Sequence, residues 1–209
     1  MLASRDLMIS VIVPIKNEPA DAAAPFARFD SPPDSELLLA IDDGRSRGAR
    51  LARAAERARG DVFFFVHADS RPPEDALAVI RRAVAGGAAA GAFSLAYATP
   101  TAALRRIAWW ANLRSRLLRL PFGDQGIFCR RDAYEAAGGF RDLPVCDDLD
   151  LVRRLRPTGT FVIRPEVTVT SARRYRERGA LRQVFRVWKV VAGYFLGVSP
   201  ERLARWYER

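Results

Sequence analysis

The chain is poor in cysteine and almost without histidine: Cys129, Cys146 and His67 are the only such residues among its 209. The cysteines show neither Cys-x-x-Cys spacing nor a Cys/His cluster, which argues against a disulfide framework and a zinc site. That usage fits a cytoplasmic protein best. Long apolar runs are missing as well, and no segment reaches the roughly 18 to 20 apolar residues of a membrane span. The apolar run at residues 8–13 has the length of a strand and leads into polar Lys16-Asn17-Glu18, so it does not read as a signal peptide. There is no lysine-rich tail, nucleic-acid motif or internal repeat. The net charge of +10 therefore reads as a basic surface suited to nucleotide diphosphates or an anionic membrane face, not as a nucleic-acid binder.

What the chain does have is a composition that can build a core, with 49% hydrophobic residues in a length that suits one α/β domain. Near-continuous apolar runs at 9–13, 37–41, 62–66 and 92–97 read as strands covered on both faces. Between them, residues 49–59 form an Ala/Arg helix, and Pro72-Pro73-Glu74-Asp75 opens a second helix with Leu77, Ile80 and Val84 on one stripe. Alternation of this kind predicts a mainly parallel sheet flanked by helices. Further on, the pattern predicts a basic amphipathic helix at 102–120, a short helix at 133–137 capped by an Asp132-x-x-Glu135 box, and a helix at 148–156 burying Leu149, Val152 and Leu155. Two short strands at 161–163 and 167–170 and a C-terminal amphipathic helix at 180–196 complete the reading. Residues 18–35, rich in Pro, Ala and Asp, read as an irregular, mobile loop.

Ligands of open α/β sheets bind beyond the carboxyl ends of the strands. Three runs end there in polar residues: Pro14-Ile15-Lys16-Asn17-Glu18, Asp42-Asp43-Gly44 and His67-Ala68-Asp69-Ser70. Each alone is a weak signal, since Asp42-Asp43-Gly44 also fits a turn and Asp69-Ser70 also fits a helix cap. Together they outline one rim. Asp69 suits Mg2+ or Mn2+ carried by a nucleotide diphosphate, because such ions take one or two protein carboxylates while phosphates and water fill the remaining positions. Farther along, Gly123-Asp124-Gln125-Gly126 places a carboxylate among glycines that permit close approach. Asp147, Asp148 and Asp150 at a helix start are more acids than capping needs. On this reading Asp148 faces the pocket edge as a general base.

These residues resemble the family 2 glycosyltransferases of GT-A fold, especially small bacterial members. Their pattern stands here as Gly123 to Phe128, Gly138-Gly139-Phe140, Asp147-Asp148, Arg153-Arg154-Leu155 and Thr170-Ser171-Ala172-Arg173-Arg174-Tyr175. The resemblance implies a Rossmann-like nucleotide half at 1–98, an acceptor and catalytic half at 99–175 and a helical extension at 176–209. It implies inverting transfer from a UDP- or GDP-linked sugar to an unidentified acceptor. Pro14, Asn17, Glu18, Asp42, Asp43, Arg47, His67 and Asp69 would serve the donor. Gly123, Asp124, Gln125, Gly126, Arg173 and Arg174 would serve the acceptor, the sugar or the departing diphosphate. Asp69 would hold Mg2+ or Mn2+, Asp148 would be the base and Asp147 its catalytic neighbour.

The chain departs from the pattern at four points. Asp-x-Asp appears as His67-Ala68-Asp69, Glu-Asp as Asp147-Asp148, and Trp as Tyr175, while the segment usual after Asp42-Asp43-Gly44 is missing. Two alternatives stay open beside the enzyme: a catalytically impaired nucleotide-sugar-binding protein, and a module at the inner membrane face. The second arises because residues 102–120 and 181–196 mix arginine with Trp, Phe, Leu and Val, a composition that also suits core packing or a homodimer contact.

Overall fold

The computed structural model describes residues 7–16, 24–30 and 32–208. Strand β3 (Val62–Phe65) shows most directly why the sheet forms where it does. Side chains alternate across a strand, so Val62 and Phe64 enter one face of the sheet while Phe63 and Phe65 enter the other, and all four are buried. On one side Phe63 and Phe65 pack with Ile12, Leu51, Tyr134, Phe140 and Leu151. On the other, Val62 and Phe64 pack with Ile9, Val11, Phe128 and Ile80. A four-residue apolar run thus serves two cores.

Around β3 lie β1 (Ile9–Ile15) and β2 (Ser35–Ile41), followed by α1 (Arg47–Arg57), β4 (Ser70–Arg71), α2 (Ala76–Ala85) and β5 (Ala88–Tyr97). The second half comprises α3 (Ala102–Leu118), β6 (Ile127–Arg130), α4 (Arg131–Ala136), α5 (Asp147–Leu155), β7 (Thr160–Thr170), α6 (Arg173–Arg178), α7 (Ala180–Phe195) and α8 (Pro200–Glu208). The described strands form one seven-stranded sheet in the order β2-β1-β3-β6-β5-β7-β4. Strands β2, β1 and β3 are parallel, the arrangement expected of a Rossmann-like half. Strand β6 then inserts antiparallel to both β3 and β5, and β5 pairs parallel with β7. The sheet is α/β, mainly parallel and flanked by helices, with antiparallel pairing confined to β6, lodged in the Gly-Asp-Gln-Gly-Ile-Phe stretch, and to the two-residue β4.

Other expectations need adjustment. The two short strands near the end are one strand, with a register irregularity that spans Arg164-Pro165-Glu166 opposite β5. Proline cannot donate to a ladder, so its position at the irregularity follows from its chemistry. The Asp132-x-x-Glu135 box does not form: α4 starts two residues earlier, with Arg130 at its N-cap and no side-chain cap bond. Asp132 instead pairs with Arg130 at 2.6 Å, and its Oδ1 accepts from the Ala133 N–H. In the segment read as a loop, Ala24–Phe29 is a 3-10 turn that buries Phe26 and Phe29, with Phe29 set edge-on to Phe64. Residues 17–23 lie outside the described part.

Candidate active site

The site lies where α1 and α5 start beside the carboxyl ends of β1 and β3. Pro14, Arg47, Phe65, His67, Gly123, Phe140, Asp147 and Asp148 line a small pocket there. Its centre is an ion pair. Arg47 Nε and Nη2 donate to the two carboxylate oxygens of Asp147 at 2.9 and 2.5 Å, a bidentate match of guanidinium to carboxylate. Asp147 is buried at 2% exposure, whereas Arg47 keeps 31%. The third guanidinium nitrogen, Nη1, lies 3.0 Å from His67 Nε2. Guanidinium can only donate, so His67 Nε2 accepts, and the neutral ring carries its proton on Nδ1.

Asp148 is built differently from its neighbour. Its Oδ2 accepts from the Gly123 N–H at 2.7 Å, and its Oδ1 accepts from the Leu149 N–H at 2.8 Å. The Arg47 guanidinium stands 3.7 Å away, and 16% of the Asp148 side chain remains exposed. Gly123 is required for this contact: a Cβ there would come within 2.5 Å of His67 Nε2 and 2.9 Å of Asp148 Oδ2. Neither aspartate acts as the helix cap. The N-cap is Cys146, which adopts the left-handed conformation at φ 61° and makes no side-chain cap bond. Asp150 turns to α7, accepting from Arg154 and from the Tyr194 hydroxyl.

A second polar cluster adjoins the first. Burial pushes the Asp124 carboxyl up to about 6; the charges of Asp148 and Asp69 push the same way, and Arg114 opposes them. Its Oδ1 is buried and lacks a hydrogen-bond partner among the described residues, as does Arg114 Nη2. Arg114 stacks over the Phe122 ring at 3.7 Å and donates from Nε to the Leu120 carbonyl. Burial lowers its pKa, an effect the Asp124 and Asp148 charges counter. Tyr97 and Tyr175 meet edge to face at 5.2 Å on the same side, and burial raises both phenols.

The residues anticipated from the sequence are thus divided. Pro14, Arg47, His67, Gly123, Asp147 and Asp148 converge on one pocket. Asp42 and Asp43 stand at the end of β2 and pair with cations instead, Asp42 with Lys16 and Arg50, Asp43 with Arg45 and Arg53. Asp69 is exposed at the rim and does not cap α2, whose N-cap is Asp75. Gln125 does not face a ligand: it is fully buried, its Oε1 accepting from Ser115 and Phe122 and its Nε2 donating to the Phe93 carbonyl. Gly126 packs inside against Phe64. Arg174 donates to the Tyr207 hydroxyl of α8 at 2.7 Å, and Arg173 is exposed. Asn17 and Glu18 lie outside the described residues. Sequence reading missed Arg114, Tyr97 and Tyr207, because an arginine within a basic helix and tyrosines outside any motif carry no distinguishing signal.

His67 yields a direct check. Burial first, and then the Arg47 charge, lower its pKa to about 3, against a smaller opposing pull from Asp147. The Cε1 proton resonance of this single histidine is therefore expected to stay fixed from about pH 5 to 8; a midpoint near 6.5 would contradict the Arg47 contact. The unfolded chain takes up this proton near 6.5 and the folded one only near 3. Stability contributed by the neutral ring is accordingly complete above 6.5 and declines as pH falls through that window.

Parallel strands β1, β2 and β3 thus carry acids beyond their carboxyl ends, with the N-termini of α1 and α5 beside them, the place where ligands of open α/β sheets bind. No protein-family model and no curated protein matches the chain. Solved structures do. The mannosyltransferase PcManGT from Pyrobaculum calidifontis, in complex with GDP-Man and Mn2+, matches at TM-score 0.61 and 18% identity, over 88% of this chain and 61% of that one. A structure of S. aureus TarS 1-349 matches at TM-score 0.55 and 13% identity, over 78% of this chain and 58% of that one. The chain therefore spans about three fifths of the length of these proteins, and its fold is one found among glycosyltransferases.

Proposed function

We propose that the protein is an inverting glycosyltransferase that moves a sugar from a nucleotide-diphosphate-sugar to a hydroxyl-bearing acceptor, with Asp148 as general base. The observation that carries this reading is the setting of Asp148. Two backbone N–H groups fix its carboxylate at the edge of a pocket at the strand ends, on a fold found among glycosyltransferases. Each oxygen uses one lone pair for those bonds and keeps another free for an incoming hydroxyl. The acceptor oxygen gives its proton to Asp148 as it bonds to the anomeric carbon, and the sugar–phosphate bond breaks with its electron pair leaving on the nucleotide diphosphate. Buried Asp147, with both oxygens on Arg47, serves as a positioning residue. In this scheme Pro14, Asn17, Glu18, Asp42, Asp43 and His67 border the donor, and Arg173 and Arg174 meet the diphosphate. The chain divides functionally into 1–98, 99–175 and 176–209.

A divalent ion is compatible with these residues when it arrives with the donor. No group of three His, Cys, Asp or Glu able to hold an ion by itself occurs among the described residues. Asp69, however, is an exposed hard-oxygen ligand, and Mg2+ or Mn2+ needs only one or two such carboxylates beside phosphate oxygens. When bound there, the ion would supply charge neutralisation of the leaving diphosphate.

The test is release of nucleotide diphosphate from a panel of UDP- and GDP-linked sugars, with Mn2+ or Mg2+ and with hydroxylated acceptors. Release from at least one donor is expected; donor binding without release from any would favour an impaired nucleotide-sugar-binding protein. Asp124 adds a pH signature. Its carboxylate accepts from an acceptor hydroxyl more strongly than its neutral acid does, so kcat/KM is expected to climb as pH rises through about 6. In Asp124→Asn that ascending limb is expected to disappear; an unchanged limb would assign it to another group.

A further inference from the structure

We infer that α7 seats this protein on the surface of an anionic lipid bilayer. The helix is inverted with respect to the usual amphipathic rule. Its inward side buries Gln183, Val190 and Gly193. Its outward side presents Leu181, Phe185, Trp188 and Phe195, at 88, 72, 51 and 51% exposure, with Leu196 just beyond at 81%. Intervals of four, three and seven residues set the first four on one face of a helix. A face of this size on a water-exposed helix calls for a partner.

Rotation cannot hide it. A Cβ at Gly193 would come within 2.7 Å of Leu203 and 2.8 Å of Trp206, so α7 and α8 are in close contact across that glycine. On the same helix the Tyr194 hydroxyl donates to Asp150 at 2.9 Å and accepts from Arg153. Turning the apolar stripe inward would undo both arrangements.

Charge selects the occupant. α7 contains no acidic residue, and exposed Arg182 and Lys189, seven residues apart, border the stripe. Helix α3 repeats the composition: no acid, exposed Trp109 and Trp110 at 57 and 58%, and exposed Arg105, Arg106 and Arg116. Two copies meeting through α7 would bring like charges together on chains that each carry +10. Anionic headgroups complement those cations, while the acyl boundary accepts the aromatic and leucine side chains. No helix among the described residues is long and apolar enough to cross a membrane, so α7 lies in the plane of the surface.

The experiment is flotation of the whole protein with phosphatidylcholine vesicles with and without phosphatidylglycerol, at low and high salt, with light scattering on the lipid-free sample. Flotation only with phosphatidylglycerol, weakened by salt, is expected. A Phe185→Glu/Trp188→Glu variant should lose roughly tenfold or more in partitioning, with an unchanged circular dichroism spectrum and melting curve because both side chains are exposed. Equal flotation on neutral vesicles, or undiminished flotation of the variant, would overturn the inference. So would a dimer abolished by the same substitutions in a protein that does not float. Should the variant lose its melting transition, Phe185→Ser alone with its own melting curve replaces it, under the same criteria.

Discussion

Replacing Arg47 with methionine lowers the free energy of unfolding by about 3 kcal/mol, the lower end of the range for breaking a buried ion pair. The cost comes from what is left behind. Asp147 is 2% exposed and has both oxygens bound to Arg47, so the variant strands a carboxylate in the interior. The lower end applies because Arg47 itself keeps 31% exposure, which lets water reach the cationic side of the pair. The double variant Arg47→Met/Asp147→Leu is expected to recover most of the loss, since apolar groups of similar volume can replace such pairs at little net cost. Urea unfolding of wild type, both single variants and the double variant gives the cycle. A single-variant cost below about 1 kcal/mol would mean that the pair behaves as a surface salt bridge.

Asp148→Asn is expected to lower turnover by about 10²- to 10⁴-fold, the usual contribution of a positioned general base. The amide is nearly the same shape and can still accept from the Gly123 and Leu149 N–H groups through its single oxygen, one at a time. Donor affinity should therefore hold while chemistry fails. Nucleotide-sugar binding by calorimetry and turnover by diphosphate release separate the two. Wild-type turnover in this variant would remove Asp148 from the mechanism, and lost binding would make it a donor ligand instead.

The architecture was legible where one residue type did one physical task. Val62-Phe63-Phe64-Phe65 reads as a strand because both faces need apolar side chains, and Leu149, Val152 and Leu155 fall at helical spacing because α5 buries one face. Strand β6 was obscured because Ile127 and Phe128 belong to a stretch rich in glycine and polar residues, and strand direction leaves no trace in a four-residue run. The site was legible as a set of positions and not as a set of roles. Asp147 and Asp148 are adjacent and chemically identical, yet the roughly 100° between successive helix positions sends one to Arg47 and the other to Gly123. Gln125 sits in the same four-residue motif as Asp124 but is spent on Ser115, Phe122 and Phe93. Arg114 differs from the exposed arginines of α3 only through the fold that buries it. Such distinctions depend on contacts remote in sequence, which no local pattern records.

The Arg47–Asp147 pair joins residues 100 positions apart. Chains are made from the N-terminus, and early segments begin to fold while later ones are still being synthesised. The residues of β1, β2 and β3 and of the helix carrying Arg47 are therefore synthesised before Asp147, and the cation has no carboxylate partner at that position until α5 is made. The pocket can close only once both halves of the chain have been made.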